Sequence, residues 1–298
     1  MGRSMELQGV VPPMVTPTTD RRGTVDVEAL ETLVGHLREG GVDGLFPLGS
    51  TGEFTSLPRD QRRVVVETVV DSAGNLPVVV GCGGTSVDAV RTHVETAADA
   101  GADAAVVVTP YYLPTTPDGL RAFYETVADE AAIPILLYAI PSLAGQELPV
   151  DIVADLVDHP NVAGIKDSTG DLDYHARLLD RTPDDCVVFQ GASHLFAPAL
   201  DLGADGGTPS IANVFPERVS QIYAAHCEGN HDATYDLMKR IIYPYGGATE
   251  SIAAHPMALK YLLSLVDVPV GPPVLPLPEL TPREMATLEE YHDHVVAE

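Results

Sequence analysis

The chain has 298 residues, of which 45% are hydrophobic and 20% charged. That is enough apolar material for a sizeable core and too apolar for intrinsic disorder. Asp and Glu number 43 against 17 Lys and Arg, a formal net charge of −26, which repels nucleic acid and anionic lipid and excludes most readings as a binder of either.

Trp is absent and aromatics are only 6%, so the core must rest on Val, Ala, Leu and Ile. No apolar run approaches the ~18 residues of a membrane span. The stretch Met1-Gly2-Arg3-Ser4-Met5-Glu6 lacks the apolar segment of a secretion signal, so a cytoplasmic location is expected. The acidic residues are spread along the chain rather than gathered in a tail, as on a solvated surface. Salt screens the self-repulsion of such a surface, which points to a salt-rich cytoplasm, as in a halophile. Cys82, Cys186 and Cys227 lie far apart, without CxxC or Cys/His ligand spacing. They read as buried small hydrophobes, not as a disulfide framework or zinc site.

Taken in chain order, β-branched runs alternate with helical patterns. Strands are predicted over 10–16, 44–48, 77–82, 104–109, 134–138, 162–166, 187–190 and 206–211. Helices are predicted between them over 26–38, 58–72, 87–100, 117–131, 150–157 and 172–181. Entry signals support several: Pro58 before Asp60, Ser86 ahead of Asp88, and Pro149-Val150-Asp151. Continuous apolar strands such as Ile135-Leu136-Leu137 suit a parallel sheet covered on both faces. Eight such βα units read as an α/β fold, a (β/α)8 TIM barrel. After Ile211 the chain turns helical, over 217–227, 231–242, 256–265 and 282–296, with an extended Pro-rich connection over 268–280. The expected organisation is a catalytic barrel, 1–229, carrying a C-terminal helical extension, 230–298, packed on it.

In a parallel barrel the chemistry gathers at the C-terminal ends of the strands. There stand Thr16, Gly49-Ser50-Thr51-Gly52-Glu53, Cys82, Tyr111-Tyr112, Tyr138, Lys166, Gly191, Thr208 and Ser210. Lys166 closes the sixth run. An amine that loses hydration there favours its neutral form and can attack a ketone to give a Schiff base. It can equally snorkel outward or pair with an acid such as Glu53. Tyr138 closes the preceding run and is placed to carry protons at a carbinolamine, or to bond a backbone carbonyl. Ser50 and Thr51 offer hydroxyls and backbone N–H groups that suit a carboxylate, or merely cap the next helix. Tyr111-Tyr112 offers a second phenol or packs at a subunit contact, and His194 either touches substrate or starts a helix. Gly81-Cys82-Gly83-Gly84-Thr85-Ser86 is not GxGxxG, and GxxxxGK[ST], GxSxG and HExxH are absent. His292 and His294, two apart on a helix, face different directions. No cofactor and no metal site is expected.

Ser50-Thr51-Gly52-Glu53, Thr109-Pro110-Tyr111-Tyr112, Leu137-Tyr138, Pro141 and Gly164-Ile165-Lys166-Asp167 occur in that order over most of the chain. Together they resemble the pyruvate-dependent Schiff-base lyases, a family that includes dihydrodipicolinate synthase, N-acetylneuraminate lyase and 2-keto-3-deoxygluconate aldolase. The resemblance implies that Lys166 forms an imine with pyruvate and that Tyr138 transfers protons. It implies that Ser50 and Thr51 hold the keto acid's carboxylate, with Ser50 passing protons to Tyr138. It also implies that Tyr112 reaches a neighbouring subunit's site, and hence a homotetramer built as a dimer of dimers. Gly191, Thr208 and Ser210 are expected to line the substrate site.

Departures from the family pattern choose among its members. The synthases usually carry an arginine after Pro-Ser for the second substrate's carboxylate, where this chain has Leu143. A dicarboxylate left unpaired there loses on the order of 2–5 kcal/mol. The sialic-acid lyases carry acidic residues after the seventh-strand glycine, and Gly191-Ala192-Ser193-His194 has none. Lys166-Asp167-Ser168 looks closest to the Lys-Asp-Thr of archaeal keto-deoxy sugar acid aldolases. Leu113-Pro114-Thr115-Thr116 lacks the arginine of those that accept phosphate, although Lys239-Arg240 is an alternative source of phosphate contacts. The expected activity is therefore cleavage of an unphosphorylated 2-keto-3-deoxy acid, such as 2-keto-3-deoxygluconate, to pyruvate and an aldehyde such as glyceraldehyde. The alternatives are 4-hydroxy-tetrahydrodipicolinate synthase, a keto-deoxy sugar acid dehydratase, or a non-catalytic keto-acid binder on the same fold.

Overall fold

The computed structural model describes residues 7–250 and 255–297, so the stretch 1–6 weighed above for a secretion signal lies outside the described residues. One sheet holds β1 (Gly9–Val10), β2 (Val79–Gly81), β3 (Ala104–Val108), β4 (Ile135–Ala139), β5 (Val162–Asp167), β6 (Val187–Gln190) and β7 (Gly206–Gly207). From β2 to β7 every neighbouring pair is parallel. The order is β1-β7-β6-β5-β4-β3-β2, so each strand from β3 onward lies beside its predecessor and the first lies beside the last. That cyclic order belongs to a barrel, whereas a doubly wound sheet reverses order at a switch point.

The chain forms two compact units, Met1–Gly9 with Pro77–Thr208, and Val10–Leu76 with Pro209–Glu298. The first holds β2 to β7 and six helices: Val87–Ala100, Pro117–Glu130, Pro141–Ala144, Val150–Leu156, Leu172–Arg181 and Phe196–Leu202. Ser86, Thr116 and Asp171 cap three of them, each side-chain oxygen accepting from backbone N–H groups of the first turn. Strands β3 and β4 are buried at every residue, as their unbroken apolar sequences demand.

A repeated clasp ties helix ends to strands. In Gly41-Val42-Asp43, Gly101-Ala102-Asp103 and Gly203-Ala204-Asp205 the glycine takes a left-handed φ of 73°, 92° and 107°. The next N–H then reaches back five residues, Val42 to Leu37, Ala102 to Ala97 and Ala204 to Ala199, which closes a Schellman motif. Each aspartate exchanges two bonds with the strand before the helix. Its N–H donates to Val10, Val78 or Val188 oxygen at 2.8, 3.0 and 3.2 Å. Its carboxylate accepts from the same three N–H groups at 2.8, 2.8 and 2.7 Å.

The second unit holds Val27–Glu39, Arg59–Ser72, Pro216–Cys227, His231–Leu237, Tyr243–Thr249, His255–Leu265 and Pro282–Val296. Thr281 and Glu284 form a reciprocal capping box at the last of these. The helix expected over 231–242 instead passes through a π-helical turn, Met238–Ile242, into Tyr243–Thr249. Pro244 explains the wider turn, because it has no N–H to donate to Arg240 and its ring crowds that carbonyl. The expected strands 10–16 and 44–48 do not run through: Val10 ends β1, and beyond it Pro13 and Phe46 form an isolated parallel bridge. Pro12, Pro13 and Pro47 supply no N–H to a ladder, and Leu48 has a φ of 59°. The eighth run is likewise cut short: β7 ends at Gly207, and after Pro209 the chain forms a 3-10 turn, Ser210–Asn213.

Candidate active site

In the first unit, β4 and β5 pair so that Tyr138 lies directly beside Lys166. Both are only 5% exposed. Gly164, two residues earlier on β5, has no room for a side chain, since a Cβ there would collide with the Val187 carbonyl on β6. That close approach brings the ends of β5 and β6 together. The Lys166 ammonium nitrogen stands 3.7 Å from the centre of the Tyr138 ring, over its π face. It also donates to Ser168 Oγ at 2.8 Å.

Gly191 completes this corner. A Cβ there would run into the Ser168 hydroxyl and come within 2.9 Å of Lys166 Nζ. Only glycine leaves that space to the amine. Its N–H donates to the Asp167 carbonyl at 2.5 Å, and Thr208 N–H donates to the neighbouring Gln190 carbonyl at 2.8 Å. Thr208 is 2% exposed and its hydroxyl has no partner among the described residues. Tyr112 stands apart, 89% exposed with a φ of 79°, and Leu113 and Leu143 are exposed too.

In the second unit, Ser50–Gly52 is a single 3-10 turn between Gly49 and a left-handed Glu53. Thr16 Oγ1 donates to the Gly52 carbonyl at 2.7 Å and pins the turn from one side. Glu53 pins it from the other. Its carboxylate meets Lys260 Nζ at 2.7 Å and accepts the Val274 N–H at 2.6 Å, with both side chains all but fully buried. Lys260 also donates to the Pro272 carbonyl at 2.9 Å. Glu53 is thus held by Lys260, the acid partner considered above for Lys166. Ser210 lies in the 3-10 turn rather than on a strand, and its carbonyl accepts from Asn213 Nδ2 at 2.8 Å. Tyr245 bonds the Ser210 side chain, and burial pushes the Tyr245 phenol well above its ordinary range.

Two further expectations are settled by the burial. Cys82 and Cys186 are buried as expected, and burial pushes the Cys186 thiol up to about 12. Cys227 is exposed, because it falls on the outer side of the last turn of Pro216–Cys227. His194 sits in the turn Ser193–Leu195 that leads into Phe196–Leu202. Sequence reasoning missed Ser168 as a partner of the lysine, and Lys260 as the support of the hydroxyl turn. A lone lysine in the apolar helix His255–Leu265 was the available signal for the second.

A parallel α/β barrel with a buried lysine at the end of a strand, beside a tyrosine, defines the class of Schiff-base lyases. Residues 6–294 match the Dihydrodipicolinate synthetase family, and the chain belongs to it. A 4-hydroxy-tetrahydrodipicolinate synthase of Methanosphaerula palustris is 34% identical over 95% of this chain and 97% of its own. One of Natronomonas pharaonis is 33% identical over 95% of each. A DapA-like lyase of Halobacterium salinarum is 35% identical over 97% of this chain and 94% of its own. Among solved structures, dihydrodipicolinate synthase of Thermotoga maritima superposes with a TM-score of 0.93 at 27% identity, covering 98% of this chain and 99% of that one. The fold is therefore a TIM barrel, and the protein is a lyase of the pyruvate-dependent class I aldolase family. That family works through a lysine Schiff base with pyruvate and needs no cofactor. No helix among the described residues is long and apolar enough to cross a membrane.

Proposed function

We propose that the chain cleaves unphosphorylated 2-keto-3-deoxy sugar acids, such as 2-keto-3-deoxygluconate, to pyruvate and an aldehyde, with Lys166 as the imine-forming residue. The observation that carries the chemistry is the Lys166 amine, enclosed at a strand end by Tyr138, Ser168 and Gly191. The neutral amine adds to the C2 ketone, the carbinolamine loses water, and the resulting imine draws the C3–C4 bonding electrons toward nitrogen. Tyr138 is the group we assign to take the C4 hydroxyl proton as that bond breaks. The aldehyde leaves, the enamine takes a proton at C3, and water releases pyruvate from the lysine. We assign the keto acid's carboxylate to Ser50 and Thr51, with Gly191, Thr208 and Ser210 lining the substrate, on the strength of the family motif.

The choice of substrate rests on Leu143, which is 64% exposed and offers nothing to a second carboxylate. The competing reading, condensation of pyruvate with aspartate semialdehyde, is favoured by the names of the synthase relatives. Exposed Tyr112 and Leu113 support assembly into a dimer through that face, and a homotetramer as a dimer of dimers. The charge of −26, together with relatives from Halobacterium and Natronomonas, supports work in a salt-rich cytoplasm.

The test is pyruvate release from 2-keto-3-deoxygluconate by purified protein in concentrated salt, with Lys166→Ala as control. Release that vanishes in the variant is expected. Full activity in Lys166→Ala would sink the imine assignment. Borohydride trapping of pyruvate on Lys166, with no pyruvate released from 2-keto-3-deoxygluconate and pyruvate consumed when aspartate semialdehyde is added, would favour the synthase instead.

A further inference from the structure

Lys166 is followed on β5 by Asp167, which alternation sends to the opposite face of the strand, toward the helix Leu172–Arg181. There Asp167 is wholly buried and meets His175, itself wholly buried, with Oδ2 2.9 Å from Nδ1. A carboxylate only accepts, so Nδ1 carries the donated proton. The other carboxylate oxygen accepts from Thr169 N–H and from Thr169 Oγ1, both at 2.8 Å. Gln190, the partner of Asp167 on β6, packs with its amide nitrogen 3.4 Å from the same His175 Nδ1. With Nδ1 giving its proton to Asp167, this is a contact between two donors and not a hydrogen bond. Its amide oxygen accepts the Ala192 N–H at 2.7 Å.

These bonds converge on two short segments, which hold Ser168 and Gly191 beside the lysine amine while Tyr138 faces it from β4. Asp167 and Thr169 fix the chain on either side of Ser168, which receives the Lys166 hydrogen bond. Gln190 and Ala192 bracket Gly191, whose missing side chain leaves room for the amine. His175 therefore stands behind both loops without touching the amine itself. Its Nε2 is buried with no hydrogen-bond partner among the described residues. An apolar side chain would avoid the stranded Nε2, but it would also take the Nδ1 donor away from the buried Asp167 carboxylate. The use of a histidine there is at Nδ1.

We propose that His175 is a positioning residue for the lyase reaction, which orients Lys166 through Asp167, Thr169 and Ser168. The inference rests on reading Lys166 as the imine-forming lysine. A displacement of reacting groups by about 1 Å costs on the order of 100-fold in rate. Loss of the Nδ1 donor should therefore fall on kcat and on the rate of imine formation, more than on the KM for substrate.

The experiment compares His175→Asn, His175→Gln and His175→Leu in the full-length protein. Turnover is measured with 2-keto-3-deoxygluconate or the condensation substrates, imine formation by borohydride trapping of pyruvate, and stability by thermal melts. An asparagine amide nitrogen falls near the place of Nδ1, whereas a glutamine amide overshoots it. We expect Leu and Gln to lower kcat and the trapping rate at least tenfold, and Asn to stay within about threefold of the parent. Should Leu fail to fold, the Asn and Gln pair decides the matter alone. Equal kcat and trapping rates in those two, or a Leu variant with reduced melting temperature and unchanged kcat, would overturn the proposal. Failure of the underlying reading looks different, because borohydride would then trap no pyruvate on Lys166 in the parent protein either.

Discussion

Removing the Lys260 ammonium should do more damage than removing the whole ion pair. Glu53 and Lys260 meet at 2.7 Å with side chains 1% and 2% exposed. Burial pulls the Lys260 amine below its ordinary 10.5, and the nearby Glu53 charge only partly opposes that shift. The desolvation of the ammonium thus outweighs its attraction to the carboxylate. Truncating Lys260 to methionine leaves a buried carboxylate with one remaining bond, from Val274 N–H, and should cost about 3–5 kcal/mol. Glu53→Leu with Lys260→Met removes both charges and leaves the Val274 N–H and the Thr18 and Pro272 oxygens with fewer partners. Its expected cost is smaller, on the order of 1–3 kcal/mol. Chemical denaturation of parent, both single variants and the double variant, in high salt, gives the cycle. A Lys260→Met variant within about 0.5 kcal/mol of the parent would refute the reasoning. The pH dependence carries the same sign. A lysine with a lowered folded value binds its proton more weakly folded than unfolded, so this group's contribution to stability rises as pH climbs toward 10.5.

Gly191→Ala should fold and lose most turnover, at least a hundredfold, because its methyl would occupy the place of the Ser168 hydroxyl beside the amine. Steady-state kinetics in the parent range would remove Gly191 from the site. One thiol, that of exposed Cys227, should react with a disulfide reagent in the native protein, since Cys82 is buried and the Cys186 thiol is pushed up to about 12. Mass spectrometry before and after denaturation counts the labels, and rapid native labelling of Cys186 would contradict that environment. Melting temperature and activity should both rise from dilute buffer into molar potassium chloride, as the charge of −26 is screened. A maximum in dilute buffer would remove the salt-adaptation reading and leave the chemistry untouched.

What the sequence made legible depended on whether neighbouring residues carried the signal. Helices 87–100, 172–181 and 282–296 have the boundaries their caps and periodicity predict, since Ser86, Asp171 and Thr281 act within one turn. Strands β3 to β6 were readable as continuous apolar runs. The first, second and eighth runs were read too long because prolines remove ladder donors that hydrophobicity does not register. Lys166 and Tyr138 were visible as polar residues ending apolar strands, and their adjacency followed from consecutive parallel strands.

The supports behind them were harder to see, although each left a mark. His175 belongs with Tyr174 and Leu178 to the buried side of a helix otherwise lined by Asp and Arg. A histidine on such a stripe needs a partner, and Asp167 on the preceding strand is the one residue whose alternation from Lys166 aims it there. The Gly-x-Asp clasps were plainer still, with the same three-residue pattern standing before β3, before β7 and before the bridged run at Phe46. The glycine stops the helix, and the aspartate then ties the incoming strand to the one before it. Each clasp makes neighbouring strands start level, and a parallel sheet that starts level presents its strand ends together. Two clasps act in this way on the β2–β3 and β6–β7 pairs, while between them the β4–β5 and β5–β6 ladders themselves set Tyr138 beside Lys166 and Asp167 beside Gln190.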